Sequence, residues 1–132
     1  MSKTVIVIDD NEDDLLFAQI SVERCGYPVE LKSFLRAQEA LAFLASGELV
    51  EPALVLLDIN MPVMNGFDFL DAYEQLPIAI RANVMVVMLT SSIDERDRRR
   101  SLSYASVKDY MLKPSERSQV ATLLELLDTP ES

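Results

Sequence analysis

Four short apolar runs in this chain each end at a polar residue. The runs occupy residues 4–8, 54–57, 84–89 and 110–112 and are rich in Val, Ile, Leu or Met. Nearly continuous apolar runs of this length are typical of strands that are buried on both faces of a parallel sheet. Residues 28–34 alternate between apolar and polar side chains, which predicts a further strand.

The segments between these strands show helical periodicity. In one of them, Ala37, Ala40, Leu41 and Leu44 follow the i, i+3, i+4, i+7 spacing of an amphipathic helix. Four more helices are predicted, around residues 12–25, 67–76, 92–103 and 116–127. The fourth is dominated by charge, so we expect it to bury little apolar area and to be weakly anchored. Five alternations of strand and helix predict an α/β fold with a five-stranded parallel sheet.

The polar residues that follow the apolar runs carry the candidate chemistry. They are Asp9 and Asp10, Asp58, Thr90 and Lys113. The carboxyl ends of parallel strands lie at one edge of a sheet, so these side chains should converge there. Three neighbouring carboxylates repel one another unless a cation joins them, and Mg²⁺ suits such oxygen ligands. A lysine and a hydroxyl beside the ion could clamp a phosphoryl group while one carboxylate acts as nucleophile.

Four motifs in this order resemble the receiver domain of bacterial two-component response regulators. They are Asp9-Asp10, residues 56–66, residues 89–91 and residues 109–114. The similarity covers essentially the whole chain, and it is closest in kind to stand-alone, chemotaxis-type receivers. It implies one receiver domain over residues 1–132 without an output domain. The implied fold is a doubly wound, flavodoxin-like sheet of strand order 2-1-3-4-5 with five flanking helices.

The resemblance also implies a role for each matching residue. Asp58 would be the phosphoacceptor, with Lys113 contacting a phosphoryl oxygen. Mg²⁺, or Mn²⁺ in its place, would be bound by Asp9, Asp10, Asp58 and the backbone carbonyl of Asn60. The chain would then catalyse its own phosphorylation and slow autodephosphorylation without being an enzyme in the usual sense.

The expected switch involves two further residues. Thr90 would donate its hydroxyl to a phosphoryl oxygen, and the ring of Tyr110 would move inward when Thr90 is recruited. The resemblance further implies a cis peptide bond between Lys113 and Pro114. The switching surface would be formed by the fourth helix, the fifth strand and the fifth helix.

The resemblance implies protein partners. A sensor histidine kinase or a histidine phosphotransfer protein would donate the phosphoryl group. The modified domain would control a downstream protein target, or it would pass on or drain phosphoryl groups as a relay or a sink. The one basic cluster of the chain consists of Arg96, Arg98, Arg99 and Arg100. Three of these residues, Arg96, Arg99 and Arg100, together with Tyr110, are a candidate partner face. Neutralisation of this cluster by neighbouring acids on an exposed helix is the alternative interpretation. A monomer or a weak homodimer is expected.

Charge and composition exclude several other classes of function. The net charge of −10 disfavours nucleic acid as a direct partner, because phosphate binding requires clustered Lys and Arg. The chain contains no His, which excludes a His-based catalytic triad. Cys25 is the single cysteine, so an internal disulfide is excluded and a cytoplasmic location is expected. No apolar stretch is long enough to cross a bilayer, so a membrane partner is not expected.

Two other functions compete with phosphoryl acceptance. Asp58-Ile59-Asn60 is weakly similar to the Asp-x-Asp motif of haloacid-dehalogenase-like phosphatases, but Asn stands where the second acid is needed. A receiver fold could also serve as an interaction scaffold that works without phosphorylation. Each site residue has a structural alternative as well: Asp9 or Asp10 could cap the following helix, and Lys113 could extend along the surface.

Overall fold

Five strands alternate with six helices in the computed structural model, which describes residues 3–49, 51–113 and 116–128. The strands are β1 (Lys3–Ile8), β2 (Val29–Phe34), β3 (Ala53–Asp58), β4 (Val84–Thr90) and β5 (Val107–Leu112). The helices are α1 (Glu12–Glu23), α2 (Ala37–Ala45), α3 (Gly66–Tyr73), α4 (Ile78–Arg81), α5 (Glu95–Ser103) and α6 (Arg117–Asp128). Pro114 lies outside the described residues, and with it the predicted cis bond.

All pairs of neighbouring strands are parallel, and the strand order is β2-β1-β3-β4-β5. The predicted fold class is therefore confirmed. The register places Ile8 beside Leu57, Asp58 beside Leu89 and Thr90 beside Leu112. The carboxyl ends of the four strands β1, β3, β4 and β5 consequently meet at one edge of the sheet.

The sheet separates two apolar layers. Alternate β1 residues point to opposite faces, so Ile6 and Ile8 pack with α2 and α3, whereas Val5 and Val7 pack with α1 and α6. The central strands β1 and β3 are buried along their whole length, as continuous apolar runs predict. This double-sided burial fixes the backbone on which the polar strand ends stand. No helix in the described ranges is long and apolar enough to cross a bilayer.

The structure has six helices in its described residues, one more than the five predicted. Helix α4 is a single turn, Ile78–Arg81, between α3 and β4. Pro77 precedes it with φ −54°, which pre-organises a helical turn, and Arg81 Nε donates a hydrogen bond to the Leu76 carbonyl at 3.0 Å. Four residues are too few to show helical periodicity. The charged helix predicted as the fourth is therefore α5.

Helix α5 is weakly anchored, as its composition predicts. Ser101 is its only buried residue, and its hydroxyl has no hydrogen-bond partner in the part of the chain that the structure describes. Leu102 remains 41% exposed. The Arg100 guanidinium of α5 lies over the Phe67 ring, 4.1 Å from the ring centre.

Gly66 is the first residue of α3 and lies directly against β3. A Cβ atom at this position would lie 2.8 Å from the Asp58 carbonyl oxygen and 3.0 Å from Ile59 Cα. Both atoms belong to backbone, so the clash cannot be relieved by a side-chain rotation. The close approach also allows the Gly66 amide to donate a hydrogen bond to the Ile59 carbonyl at 2.8 Å. A small residue is thus required beside Asp58.

We therefore expect Gly66→Ala to lower the free energy of unfolding by about 1–3 kcal/mol, the usual cost of overpacking. Helix propensity alone would favour Ala by roughly 0.5–1 kcal/mol, so the two effects have opposite signs. Urea unfolding followed by circular dichroism measures the change. A variant as stable as the wild type, or more stable, would contradict the close approach.

Candidate functional site

The three acidic residues at the ends of β1 and β3 lie close together. Carboxylate oxygens of Asp9, Asp10 and Asp58 all lie within 4.8 Å of one another. Asp9 and Asp58 are buried, at 3% and 5% exposure, whereas Asp10 is exposed. The expected convergence of these side chains is therefore observed. Three oxygen donors at this spacing, one of them open to solvent, fit a hard divalent cation such as Mg²⁺.

Helix α1 is capped by Asn11 and not by either neighbouring aspartate. Asn11 Oδ1 accepts a hydrogen bond from the Asp14 amide at 3.0 Å, which satisfies one of the free N–H groups of the first turn. The Asn11 amide in turn donates to Asp9 Oδ1 at 3.0 Å. Asp9 is thus oriented by the cap through Oδ1, while its second oxygen, Oδ2, faces Lys113. The alternative of Asp9 or Asp10 as the N-cap is wrong.

Lys113 links the acidic residues from the end of β5. Its Nζ lies 2.6 Å from Asp9 Oδ2, 3.0 Å from Asp14 Oδ2 and 3.1 Å from Asp58 Oδ1. Its side chain is only 12% exposed, so the alternative of a surface lysine is wrong. The Lys113 amide donates to the Thr90 carbonyl at 2.7 Å, which fixes the start of the side chain at the sheet edge.

Sequence reasoning did not identify Asp14 as a member of this group. Asp14 belongs to the acidic first turn of α1, where a carboxylate interacts favourably with the helix dipole whatever else it contacts. The sequence does show that Asp14 lies one turn into the helix that follows Asp10. Its distance from Lys113, 99 residues later in the chain, depends on how α1 packs against β1 and α6. No sequence spacing encodes that distance.

Burial and charge shift the protonation equilibria of the site. Burial, with the charge of Asp9 in second place, raises the pKa of Asp58 to about 6, although Lys113 opposes the shift. Burial disfavours the charged form of Lys113, but the hydrogen bond to Asp9 and the charges of Asp58 and Asp9 outweigh it and raise the lysine pKa. The site thus holds a permanent ammonium and more negative charge than that ammonium balances.

Thr90 ends β4 and is 2% exposed. Its Oγ1 donates a hydrogen bond to the Ser92 carbonyl at 2.8 Å and accepts one from the Ser92 amide at 3.2 Å. The hydroxyl is therefore engaged by the loop that leads to α5. Any new acceptor for this hydroxyl must compete with the Ser92 carbonyl.

Tyr110 holds the other end of the same loop. Its hydroxyl accepts a hydrogen bond from the Asp94 amide at 3.1 Å and donates to the Asp94 carbonyl at 3.4 Å. The Asp94 side chain caps α5 by accepting from the amides of Arg96 and Asp97. Tyr110 is 6% exposed, so it offers little surface to a partner. Its inclusion in an exposed partner face is corrected, because its ring and hydroxyl are occupied within the domain.

The remaining candidate residues are exposed. Asn60 follows β3 by two residues, so its backbone lies near the acidic cluster. Arg96, Arg99 and Arg100 are exposed on α5. Arg100 contacts the Phe67 ring, whereas the neighbouring Arg98 pairs with Glu95 at 3.6 Å. Local neutralisation therefore accounts for part of the Arg-rich cluster.

The raised pKa of Asp58 has a measurable consequence for stability. Its folded-state pKa of about 6 lies above the reference value of 3.8, so folding favours the protonated carboxyl. Its contribution to stability is present below pH 3.8, declines as pH rises towards 6, and is lost above that. Without divalent cations, Asp58→Asn should therefore be more stable than the wild type at pH 8, by on the order of 1–2 kcal/mol. The difference should be much smaller near pH 4.

Thermal or urea unfolding in EDTA at both pH values tests this, with Asp13→Asn as a control. Asp13 is exposed and is not one of the three carboxylates that pair with Lys113. Added Mg²⁺ should stabilise the wild type more than Asp58→Asn, because the substitution removes one oxygen anion. If Asp58→Asn stabilised the protein equally at pH 4 and pH 8 in EDTA, that result would contradict a pKa of Asp58 raised by burial.

Comparison with known proteins agrees with this geometry. The family model of the response regulator receiver domain matches residues 5–125. A response regulator receiver protein of Dyadobacter fermentans is 28% identical, with a TM-score of 0.88 over 97% of this chain and 99% of that chain. A receiver domain of Rhodospirillum rubrum is 25% identical, with a TM-score of 0.80 over 98% of each chain.

Relatives of different length share the same region. The alkaline phosphatase synthesis transcriptional regulatory protein PhoP of Bacillus subtilis is 28% identical over 120 residues. That alignment covers 91% of this chain and 46% of PhoP, so the chain spans about half of this relative. A 14.6 kDa protein of Leptolyngbya boryana is 28% identical over 121 residues, which is 92% of this chain and 86% of that protein. The chain belongs to the response regulator receiver domain family.

Proposed function

We propose that Asp58 accepts a phosphoryl group from a phosphohistidine of a sensor kinase or a histidine phosphotransfer protein. The observation that carries this proposal is the buried group formed by Asp58, Asp9 and Lys113. A carboxylate beside a permanent ammonium, with excess negative charge around it, has the composition that a metal-assisted phosphoryl acceptor needs. The finer roles given below are part of the same proposal.

In the transfer step, a carboxylate oxygen of Asp58 forms the bond to phosphorus while the phosphorus–nitrogen bond of the donor breaks. The electron pair of the broken bond remains on the imidazole of the donor. Lys113 Nζ, 3.1 Å from Asp58 Oδ1, neutralises charge on the phosphoryl oxygens. The burial of Asp58 limits access of water to the reacting carboxylate.

Asp9, Asp10, Asp58 and the backbone carbonyl of Asn60 would hold the divalent cation. Bound Mg²⁺, or Mn²⁺ with similar oxygen preference, would neutralise phosphoryl charge and the repulsion among the carboxylates. Asp9 is already oriented for this role by the Asn11 amide. Asp10 would supply the solvent-accessible ligand.

Modification of Asp58 would be transmitted through Thr90. Its hydroxyl would exchange the Ser92 carbonyl for a phosphoryl oxygen, which would move the loop of residues 91–94. Because Tyr110 is hydrogen-bonded to Asp94 in that loop, both residues would respond to the same change. Conversion of a nearly all-inactive population to a nearly all-active one requires about 5.5 kcal/mol. Two charge-assisted hydrogen bonds of about 3 kcal/mol each, or four of about 1.5 kcal/mol each, would supply this amount.

The responding surface would consist of α5, β5 and α6. The small buried area of α5 makes its position easy to bias, and Arg96 and Arg99 would offer positive charge to an acidic partner protein. Such a partner would be a downstream target or the next protein of a relay. The free, buried thiol of Cys25 is compatible with the cytoplasmic location that we propose.

Intact-mass spectrometry after incubation with Mg²⁺ and acetyl phosphate tests the proposal. The wild type should gain one phosphoryl adduct that depends on Mg²⁺, and Asp58→Asn should gain none. Lys113→Ala should be labelled about 100-fold or more slowly, because it loses a preorganised charge at the developing phosphoryl group. Lys108→Ala is the matched control, since Lys108 is an exposed lysine of the same strand.

Labelling of Asp58→Asn to the wild-type extent would overturn Asp58 as the acceptor. If no protein is labelled, the binding of fluoroberyllate in the presence of Mg²⁺ decides between two hypotheses: an acceptor that needs the histidine donor, and a scaffold that works without phosphorylation. Binding by the wild type but not by Asp58→Asn would retain the acceptor and point to a need for the histidine donor. An absence of binding by the wild type would favour a scaffold that works without phosphorylation.

A further inference from the structure

Lys113 has more anionic partners than a phosphoryl acceptor site requires. Its ammonium group has three N–H donors, and a carboxylate lies within 3.1 Å of Nζ for each of them. Asp9 and Asp58 belong to the proposed acceptor and cation site. Asp14 does not, because it lies one helical turn away on α1. Its contact with Nζ, at 3.0 Å, is shorter than that of Asp58.

The position of Asp14 is fixed by the start of α1. Its amide donates to the Asn11 side chain, and the Asn11 amide donates to Asp9, so the helix cap ties Asp14 to the acidic cluster. Asp14 also lines a cavity of about 470 Å³ together with Phe17, Ser91 and Lys113. Its side chain is 43% exposed, whereas that of Lys113 is 12% exposed. Asp14 therefore stands between the buried ammonium and solvent.

A phosphoryl group on Asp58 would have to share Lys113 with Asp14. The Asp14 carboxylate competes with the phosphoryl oxygens for the Lys113 ammonium, and it also repels their negative charge directly. The N–H bonds of an ammonium diverge at roughly tetrahedral angles, so two anions about 3 Å from Nζ would lie roughly 5 Å apart. For a partly exposed group, such a repulsion corresponds to a change of about 3- to 10-fold in an equilibrium constant.

We infer that Asp14 is a positioning residue that holds Lys113 and weakens the hold of the site on a phosphoryl group. In the unmodified protein, Asp14 and Asp9 keep the ammonium at the sheet edge. After modification, Asp14 remains a competing anion beside Lys113 and limits how strongly the phosphoryl group and its analogues are bound. The inference rests on the proposed function, because it concerns the same Lys113 and the same phosphoryl group.

The test uses fluoroberyllate as the phosphoryl analogue and Mg²⁺ as a separate ligand. Isothermal titration calorimetry would measure the dissociation constant of fluoroberyllate at saturating Mg²⁺, and that of Mg²⁺ alone, for four proteins. They are the wild type, Asp14→Asn, Asp14→Glu and Asp13→Asn. Asp13→Asn removes the same formal charge from the preceding residue of the same turn. Asp13 lines the same cavity but is not paired with Lys113, so it separates the effect of the pairing from that of a nearby charge.

Asp14→Asn should bind fluoroberyllate about 3- to 10-fold more tightly than the wild type, while its affinity for Mg²⁺ should be unchanged or lower. Tighter binding of fluoroberyllate without tighter binding of Mg²⁺ would separate the proposed role of Asp14 from a structural one. A substitution that only loosened the site would weaken the binding of both ligands. Asp14→Glu should restore an affinity close to that of the wild type, and Asp13→Asn should change fluoroberyllate binding by less than about 2-fold, because exposed charges are strongly screened.

Equal effects of Asp14→Asn and Asp13→Asn would overturn the specific role of Asp14 and leave the proposed function intact. Weaker fluoroberyllate binding by Asp14→Asn would also overturn the inference, because Asp14 would then assist the phosphoryl group. If the wild type fails to bind fluoroberyllate in the presence of Mg²⁺, both the inference and the proposed acceptor site fail together. Those three results are distinguishable from one another.

Discussion

The ion group around Lys113 is the interaction on which the rest of the site depends. One ammonium contacts Asp9, Asp14 and Asp58 at 2.6–3.1 Å, with Asp10 beside them. The acids outnumber the cation, so the site is electrostatically incomplete. Burial, and after it the charge of Asp9, raises the pKa of Asp58 and favours its protonation. A buried group of this kind is weak evidence for stability, since desolvation opposes the Coulomb attraction. Its excess negative charge instead makes the site responsive to an added cation, and its lysine makes it responsive to an added phosphoryl group.

The parallel sheet makes such a group achievable in a small domain. Strands β1 and β3 are buried on both faces, so their ends are fixed by two apolar layers rather than by the polar residues themselves. Gly66 allows α3 to start against the Asp58 carbonyl, which fixes the backbone of Asp58 from a second direction. By contrast, Ser101 is the only buried residue of α5, and Arg100 of that helix contacts the Phe67 ring. The sheet edge thus joins the fixed ends of β1 and β3 to the loop that leads to the weakly anchored helix α5.

The periodicity of the sequence was sufficient to predict the number of strands, the parallel sheet and the convergence of Asp9, Asp10 and Asp58. It was sufficient because buried strands and amphipathic helices leave regular local patterns. Helix α4 left no such pattern, since it is one turn long. The identity of the α1 cap was also missed, because Asp9, Asp10 and Asn11 are all residue types that cap helices. The contact of Asp14 with Lys113 joins residues 99 positions apart in the chain, and that of the Tyr110 hydroxyl with Asp94 joins residues 16 positions apart. Such contacts are defined only by the packed structure.

The loop of residues 91–94 explains how a change confined to Asp58 could alter a distant surface. One end of the loop is held by the Thr90 hydroxyl and the other by the Tyr110 hydroxyl, each through hydrogen bonds to backbone. Neutral hydrogen bonds of this kind contribute only about 1 kcal/mol each, so they can be exchanged at little cost for stronger bonds to a charged group. Asp94 lies in this loop and caps α5, so a shift of the loop must alter the start of that helix. Because α5 buries so little apolar area, no large packing energy opposes its movement. Under the proposed function, the weak anchoring of α5 would allow a small exchange of hydrogen bonds at the sheet edge to be transmitted to the surface of the domain.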